Sequence, residues 1–188
     1  MTDIQKIQKI LREKATPDGR AATEKFVPGA VKAFGVRTPV LNELAKLYKD
    51  GGFELAEQLW KCESMEEKML AAKLLGKIAK KNPAKTVALL RKFSKDISDW
   101  AVCDTLAMQV PKQINKTHPG ELFAISNALI TSKNLWQRRF ALVLTEWYTR
   151  DKKFHPAILE LLEKVKDDDA YYVKKAVVWI QRNFRKAR

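Results

Sequence analysis

The sequence predicts an all-α protein, an α-solenoid of stacked antiparallel helix pairs. Apolar residues recur with the spacing of amphipathic helices, and the alternation typical of strands is absent. Glycine and proline are scarce, at seven each in 188 residues, and they fall between the apolar segments. The segments also repeat at a nearly constant interval, which is the sequence signature of a helical-repeat array.

The repeat is marked first by polar residues that suit the N-cap of a helix. These helix starts lie 34 to 36 residues apart, at Ser64, Ser98, Ser132 to Asn134, and Asp168. Ser64 with Glu67 has the S-x-x-E pattern of a capping box, in which each side chain accepts a hydrogen bond from the other's backbone N–H. These positions predict the first helix of each pair.

A second series of helix starts, each with a proline, predicts the partner helices. These starts are 36 and 37 residues apart, at Asn82-Pro83, His118-Pro119 and His155-Pro156. A proline at N1 costs no hydrogen bond, because the first N–H groups of a helix have no partner within it. The tetratricopeptide signature is absent, so armadillo or HEAT-like pairs fit the period better.

The chain is interpreted as a single HEAT-like repeat domain over residues 1–188, with N-terminal helices in 1–63 and regular helix pairs in 64–188. The elements expected before residue 64 are two helices within 2–33, broken near Pro28-Gly29, and a third from Thr38-Pro39 to about Lys49, where Gly51-Gly52 ends it.

The charge balance points to a polyanionic partner. Lysine and arginine total 36 against 22 acids, a net charge of +14, and the excess is divided evenly between the two halves of the chain. A positive charge spread along an extended array suits double-stranded DNA. A monomer bound to DNA is therefore expected, and an acidic protein partner is the alternative.

Several other classes of protein are not favoured. Cys62, Cys103, His118 and His155 are isolated from one another in the sequence, so neither a zinc site nor a disulfide framework is expected. No cofactor motif is present. The sequence has no apolar run long enough to span a bilayer and no signal peptide, so no membrane partner and a cytoplasmic location are expected.

The last helix, expected over about 170–185, carries a tryptophan away from its core face. The residues at i, i+4, i+7 and i+11 that form its apolar stripe are Val173, Val177, Ile180 and Phe184. On the opposite side are Lys175, Trp179, Arg182 and Lys186. Either another helix packs over Trp179, or Trp179 contacts a base, sugar or backbone in a cationic groove.

The helix expected over 98–110 has a similar anomaly. Its core side is Val102, Leu106 and Val110, whereas Trp100 and Asp104 stack at i and i+4 off that side. A carboxylate in a groove for DNA repels phosphate. Three explanations for Asp104 are therefore open. It has a chemical role, it interacts with the dipole at the N-terminus of its helix, or it pairs with a nearby arginine.

Basic residues on two further helices are candidates for phosphate contacts. In the helix expected over 134–149, Arg139 lies at the margin of a core stripe formed by Trp136, Phe140, Val143 and Trp147. Ion pairing and phosphate binding are both open for Arg139. Lys73, Lys77 and Lys80 follow one flank of the helix that begins at Ser64, either as a solvated face or as phosphate ligands.

Four motifs in this order resemble the AlkD-like DNA alkylation repair family. They are FGVRTP (34–39), DWAVCD (99–104), NLWQRRFAL (134–142) and YYVKKAVVWIQRNF (171–184). The family is a HEAT-like solenoid that removes positively charged N-alkylated purines from duplex DNA. The resemblance implies that Asp104 is the catalytic acid, that Trp100 and Trp179 flank the deoxyribose, and that Arg139 is the cleft arginine. Arg138 beside it joins the DNA-binding candidates, and Phe26 stands where the family has a tyrosine.

The function expected from these observations is an alkylpurine DNA glycosylase. The resemblance implies that Asp104 stabilises an oxocarbenium-like sugar while the base stays unflipped. Catalytic relatives continue with further helices, and some shorter relatives bind branched DNA without chemistry. A non-catalytic binder of branched or distorted DNA is thus the first alternative, and a protein-binding helical scaffold is the second.

Overall fold

The computed structural model describes residues 1–28 and 32–184, and within them it confirms the all-α prediction. This part of the chain has eleven helices of nine residues or more, one short helix and no strand. The helices are α1 (Asp3–Lys14), α2 (Pro17–Phe26), α3 (Thr38–Leu47), α4 (Gly52–Trp60), α5 (Met65–Ile78), α6 (Pro83–Phe93), α7 (Trp100–Gln109), α8 (Pro111–Ile114), α9 (Pro119–Leu129), α10 (Leu135–Val143), α11 (His155–Glu163) and α12 (Tyr171–Phe184).

The helices stack in the order expected of a repeat array. α3, α5, α7, α10 and α12 form a first row, in which each helix packs against the next. α4 packs on α5, and both α9 and α11 pack on α10, so the second helices of the pairs lie behind this row. The result is an all-α helical-repeat fold. The predicted division at residue 63 stays a prediction.

The caps explain where the repeats begin. The Ser64 hydroxyl accepts from the Glu67 N–H at 3.1 Å, and the Glu67 carboxylate accepts from the Ser64 N–H at 3.1 Å, which confirms the capping box. In the next pair, the predicted cap Ser98 is wrong by one residue. Asp99 caps α7 instead, because its carboxylate accepts from the Val102 N–H at 2.9 Å.

Two element boundaries differ from the prediction. The N-terminal helices separate near residue 15 rather than at Pro28-Gly29, because Thr16 caps α2 and Pro17 is its first residue. The helix expected over 134–149 ends at Val143, and a 3-10 turn follows at Glu146–Arg150. Trp147 therefore leaves the predicted core stripe: it is half-buried, and its indole N–H donates to the Met108 carbonyl at 3.0 Å.

A buried carboxylate holds the loop between α2 and α3. Glu66 is fully buried and accepts hydrogen bonds from the N–H groups of Phe34, Gly35 and Val36 at 2.7 to 3.1 Å. Gly35 has φ +85°, a backbone conformation that residues other than glycine rarely adopt. A Cβ on Gly19 would collide with the Gly35 carbonyl oxygen, so α2 and this loop are in close contact.

None of the helices in the described part of the chain combines the length and the hydrophobicity needed to cross a membrane.

Candidate active site

A groove of about 580 Å³ opens where α2 faces the N-terminal halves of α3, α5 and α7. The loop held by Glu66 leads directly into one wall of this groove. Among the residues that line it are Phe26, Arg37, Met65, Met69, Trp100 and Asp104. We call it the Asp104 groove. Its wall combines apolar surface with two carboxylates, Asp18 and Asp104, and one arginine, Arg37.

Trp100 connects two walls of the Asp104 groove. It is the first residue of α7, it is half-buried, and its indole N–H donates to the Phe26 carbonyl at 2.8 Å. The Phe26 side chain itself is 63% exposed at the end of α2. The two aromatic residues therefore offer planar apolar surface beside the carboxylate, which suits contact with a sugar or a base.

Asp104 is held by a bidentate ion pair with Arg139. The Arg139 Nε donates to Asp104 Oδ1 at 2.9 Å and Nη2 donates to Oδ2 at 2.7 Å, while Nη1 donates to the Tyr172 carbonyl at 2.7 Å. The Arg139 side chain is 8% exposed and that of Asp104 is 20% exposed. One guanidinium thus joins α7, α10 and α12, and it leaves the carboxylate edge toward the groove accessible.

Burial raises the pKa of Asp104 above the ordinary aspartate value, and the hydrogen bonds from Arg139 oppose that rise. The neighbouring thiol of Cys103 is fully buried, and burial likewise raises its pKa, so it stays protonated at neutral pH. Among the described residues, no three His, Cys, Asp or Glu side chains come together as a metal site would require.

Comparison with known proteins identifies the family. The sequence profile described as "DNA alkylation repair enzyme" matches residues 7–187, nearly the whole chain. The chain belongs to this family. A solved structure from Enterococcus faecalis, described as a predicted DNA alkylation repair enzyme, superposes with a TM-score of 0.79 at 16% identity, covering 93% of this chain and 84% of that one. No curated protein sequence matches.

Trp179, the other tryptophan expected at the site, lies on α12. It is half-buried and packs partly against the core, between exposed Lys175 and Arg182. Trp179 is two helical turns from Tyr172, whose carbonyl accepts from Arg139. It is not among the described residues that line the Asp104 groove. Lys186, predicted on the same face, lies outside the described residues.

Both arginines predicted to bind DNA are engaged in ion pairs. Arg139 is 6% exposed and pairs with Asp104, so of the two roles that the sequence left open, the structure has ion pairing. Arg138 donates from Nε and Nη2 to Asp168 at 2.5 and 3.2 Å, and from Nη1 to the Ser132 carbonyl at 2.8 Å. Both arginines therefore hold α10 against its neighbours, and their contacts with DNA phosphates stay a prediction.

The predicted lysine flank of α5 divides into buried and exposed parts. Lys77 and Lys80 are exposed, Lys80 within the 3-10 turn that follows the helix. Lys73 is only 8% exposed, and its ammonium donates to Asn42 Oδ1 at 2.8 Å, so it is not part of a solvated face. The flank is turned toward α3 at Lys73, because α5 lies between α3 and α7 in the first row.

The sequence holds a signal for two further residues, one that lines the groove and one that holds the loop leading to it. Arg37 stands in the FGVRTP motif and lines the groove, so the motif itself marks this residue. Glu66 lies four residues before Leu70 on the apolar side of α5, and an acid in such a position indicates a buried acceptor that needs N–H donors.

Proposed function

We propose that this member of the DNA alkylation repair enzyme family is a DNA N-glycosylase that releases N3- and N7-alkylated purines from duplex DNA. The observation that carries the proposal is the Asp104 carboxylate, held by Arg139 in a groove beside Trp100, in a protein of net charge +14. A purine alkylated at N3 or N7 already bears a positive charge and leaves without protonation. The protein's task is then to stabilise the cationic sugar.

Asp104 would supply part of this stabilisation electrostatically. A carboxylate about 4 Å from the developing cation contributes roughly 4 kcal/mol at an effective dielectric of about 20. Arg139 lies behind it, and a positive charge about 8 Å away opposes the carboxylate with roughly 2 kcal/mol. The pair as a whole then favours the cation by roughly 2 kcal/mol, about a 30-fold rate effect. Asp104 is also available to orient the attacking water.

The remaining contacts proposed for DNA come from exposed cations. Lys175 and Arg182 lie on the outer face of α12, and Lys77 and Lys80 lie at the C-terminal end of α5. Trp100, and Trp179 from α12, would flank the deoxyribose without accepting the base in a pocket. The open shape of the Asp104 groove supports this proposal, since a flipped base requires an enclosed pocket.

The test is base release from duplex DNA that contains N7-methylguanine, under single-turnover conditions. Asp104→Asn should lower the rate by about a thousandfold, because it removes the carboxylate and leaves the opposing charge of Arg139. Asp168→Asn is the matched control: it breaks the same kind of ion pair, to Arg138, away from the groove. Equal losses in the two variants would contradict the proposed role of Asp104.

A non-catalytic binder of branched or distorted DNA is the second candidate. The ion pair with Arg139 favours this candidate in two ways. It gives Asp104 a structural role that needs no catalysis, and it neutralises part of the negative charge that would repel phosphate. If the wild-type protein releases no base from alkylated DNA and binds junctions more tightly than linear duplex, this second candidate replaces the first.

A further inference from the structure

A second groove lies at the opposite end of the helices that form the Asp104 groove. It has a volume of about 310 Å³ and is lined by the C-terminal halves of α3 and α5, by the end of α7 and by α8. Four of its lining residues are lysines: Lys46, Lys73, Lys77 and Lys112. Its acid is Glu43, which pairs with Lys46 at 2.8 Å. The groove therefore carries a surplus of positive charge.

Lys73 at the floor of this groove is the unusual member. It is buried among the apolar residues of α5, and within the described residues its hydrogen-bond partner is the neutral Asn42 rather than a carboxylate. An ammonium has three N–H donors, and burying it without a counter-ion costs free energy. Burial and the nearby charge of Lys77 both lower the pKa of Lys73. An anion in the groove would compensate that cost.

We propose that this groove is a phosphate-binding site, with Lys73 at its floor and Lys77 and Lys112 at its rim. Lysine binds phosphate as a point charge. Three ammonium groups around one cavity suit the several oxygens of a phosphate better than the two coplanar oxygens of a carboxylate. The three side chains come from α5 and from α8, so the site depends on the stacking of consecutive repeats.

The phosphate we assign to this site is one of the DNA backbone, and this assignment rests on the duplex partner of the proposed function. α5 lines both grooves, with Met69 in the first and Lys77 in the second. Eight residues of helix separate them by about 12 Å. The two grooves are therefore near enough along α5 for one duplex to contact both, and we assign a sugar to Asp104 and a backbone phosphate to Lys73.

The experiment measures the affinity of an undamaged duplex of 20 base pairs by fluorescence anisotropy over a series of salt concentrations. Lys73→Met and Lys77→Met should each weaken binding by roughly 5- to 10-fold at low salt and make the log–log salt slope shallower by about 1. Lys9→Met is the matched control, because Lys9 is exposed on α1, which packs on α4 away from both grooves. Equal losses in all three variants would overturn the site.

Two further measurements separate this inference from its alternatives. Calorimetric titration with inorganic phosphate distinguishes a DNA phosphate from free phosphate as the ligand. If Lys73→Met loses the binding of inorganic phosphate but keeps the DNA affinity of the wild type, the assignment to DNA is overturned. Base release at saturating enzyme should stay within about 2-fold of wild type in Lys9→Met, since Lys9 lies in neither groove. A wild-type protein that releases no base but binds DNA through Lys73 would remove the glycosylase proposal and support the phosphate site.

Discussion

Arg139 forms two parallel hydrogen bonds with Asp104 and a third with the Tyr172 carbonyl, so one buried guanidinium orients the carboxylate from behind. The neighbouring Arg138 pairs in the same bidentate manner with Asp168. Two adjacent arginines of α10 thus hold carboxylates from different parts of the chain. Only the Asp104 pair borders the groove, which makes the Asp168 pair an internal control for its structural effect.

The first prediction concerns the coupling between Asp104 and Arg139. Arg139→Gln should destabilise the fold by about 3 kcal/mol, because it leaves a largely buried carboxylate without its partner. Combining it with Asp104→Asn should recover part of that loss, with a coupling energy above about 1 kcal/mol in urea unfolding. Additive losses would show that the two side chains do not stabilise each other. Base release should fall in all three variants. In the single Arg139 variant the carboxylate loses its orientation and its pKa rises further, and these losses outweigh the removal of the opposing positive charge.

The second prediction concerns pH. Asp104 stabilises a cation only when it is ionised, and burial raises its pKa above the ordinary aspartate value. The rate of base release should therefore rise with pH through the raised pKa and lose its Asp104-dependent part below it. Single-turnover rates between about pH 4 and pH 8, corrected for spontaneous release, measure this limb. This rise of the rate with pH should be missing in Asp104→Asn. If it persists in that variant, another group is responsible for the pH dependence.

The sequence predicts which residues share a face of one helix, but not which side chains meet between helices. Helical periodicity places Trp100 and Asp104 on one face of a helix, because both follow from spacing within a single segment. It cannot show that Arg139, 35 residues further along the chain, reaches Asp104, since that contact depends on how repeats stack. For the same reason helical spacing cannot distinguish the buried Lys73 from the exposed Lys77. Whether a residue on the flank of α5 is covered depends on α3, which comes from an earlier part of the chain.

The third prediction concerns the stability cost of Lys73. Lys73→Met should raise the melting temperature by about 2 to 4 °C, because methionine has a similar length and needs no counter-ion in a buried position. The lowered pKa of Lys73 means that the unfolded chain binds more protons than the folded one. Wild-type stability should therefore gain from rising pH between the folded and unfolded lysine pKa values, and the variant should lack this gain. A lower melting temperature in Lys73→Met would indicate a structural role instead of a ligand site.

The fourth prediction concerns neutral lesions. Uracil and other uncharged bases should not be released, because they are poor leaving groups that must be protonated or otherwise activated as the bond breaks. Asp104 is unsuited to this at neutral pH, since the donors of Arg139 occupy both of its oxygens and favour the ionised form. The measurement compares duplexes identical except for one N7-methylguanine or one uracil, at the same saturating enzyme concentration. Comparable release of both bases would mean that a general acid acts in the groove, and stabilisation of the sugar by Asp104 would then be insufficient as a mechanism.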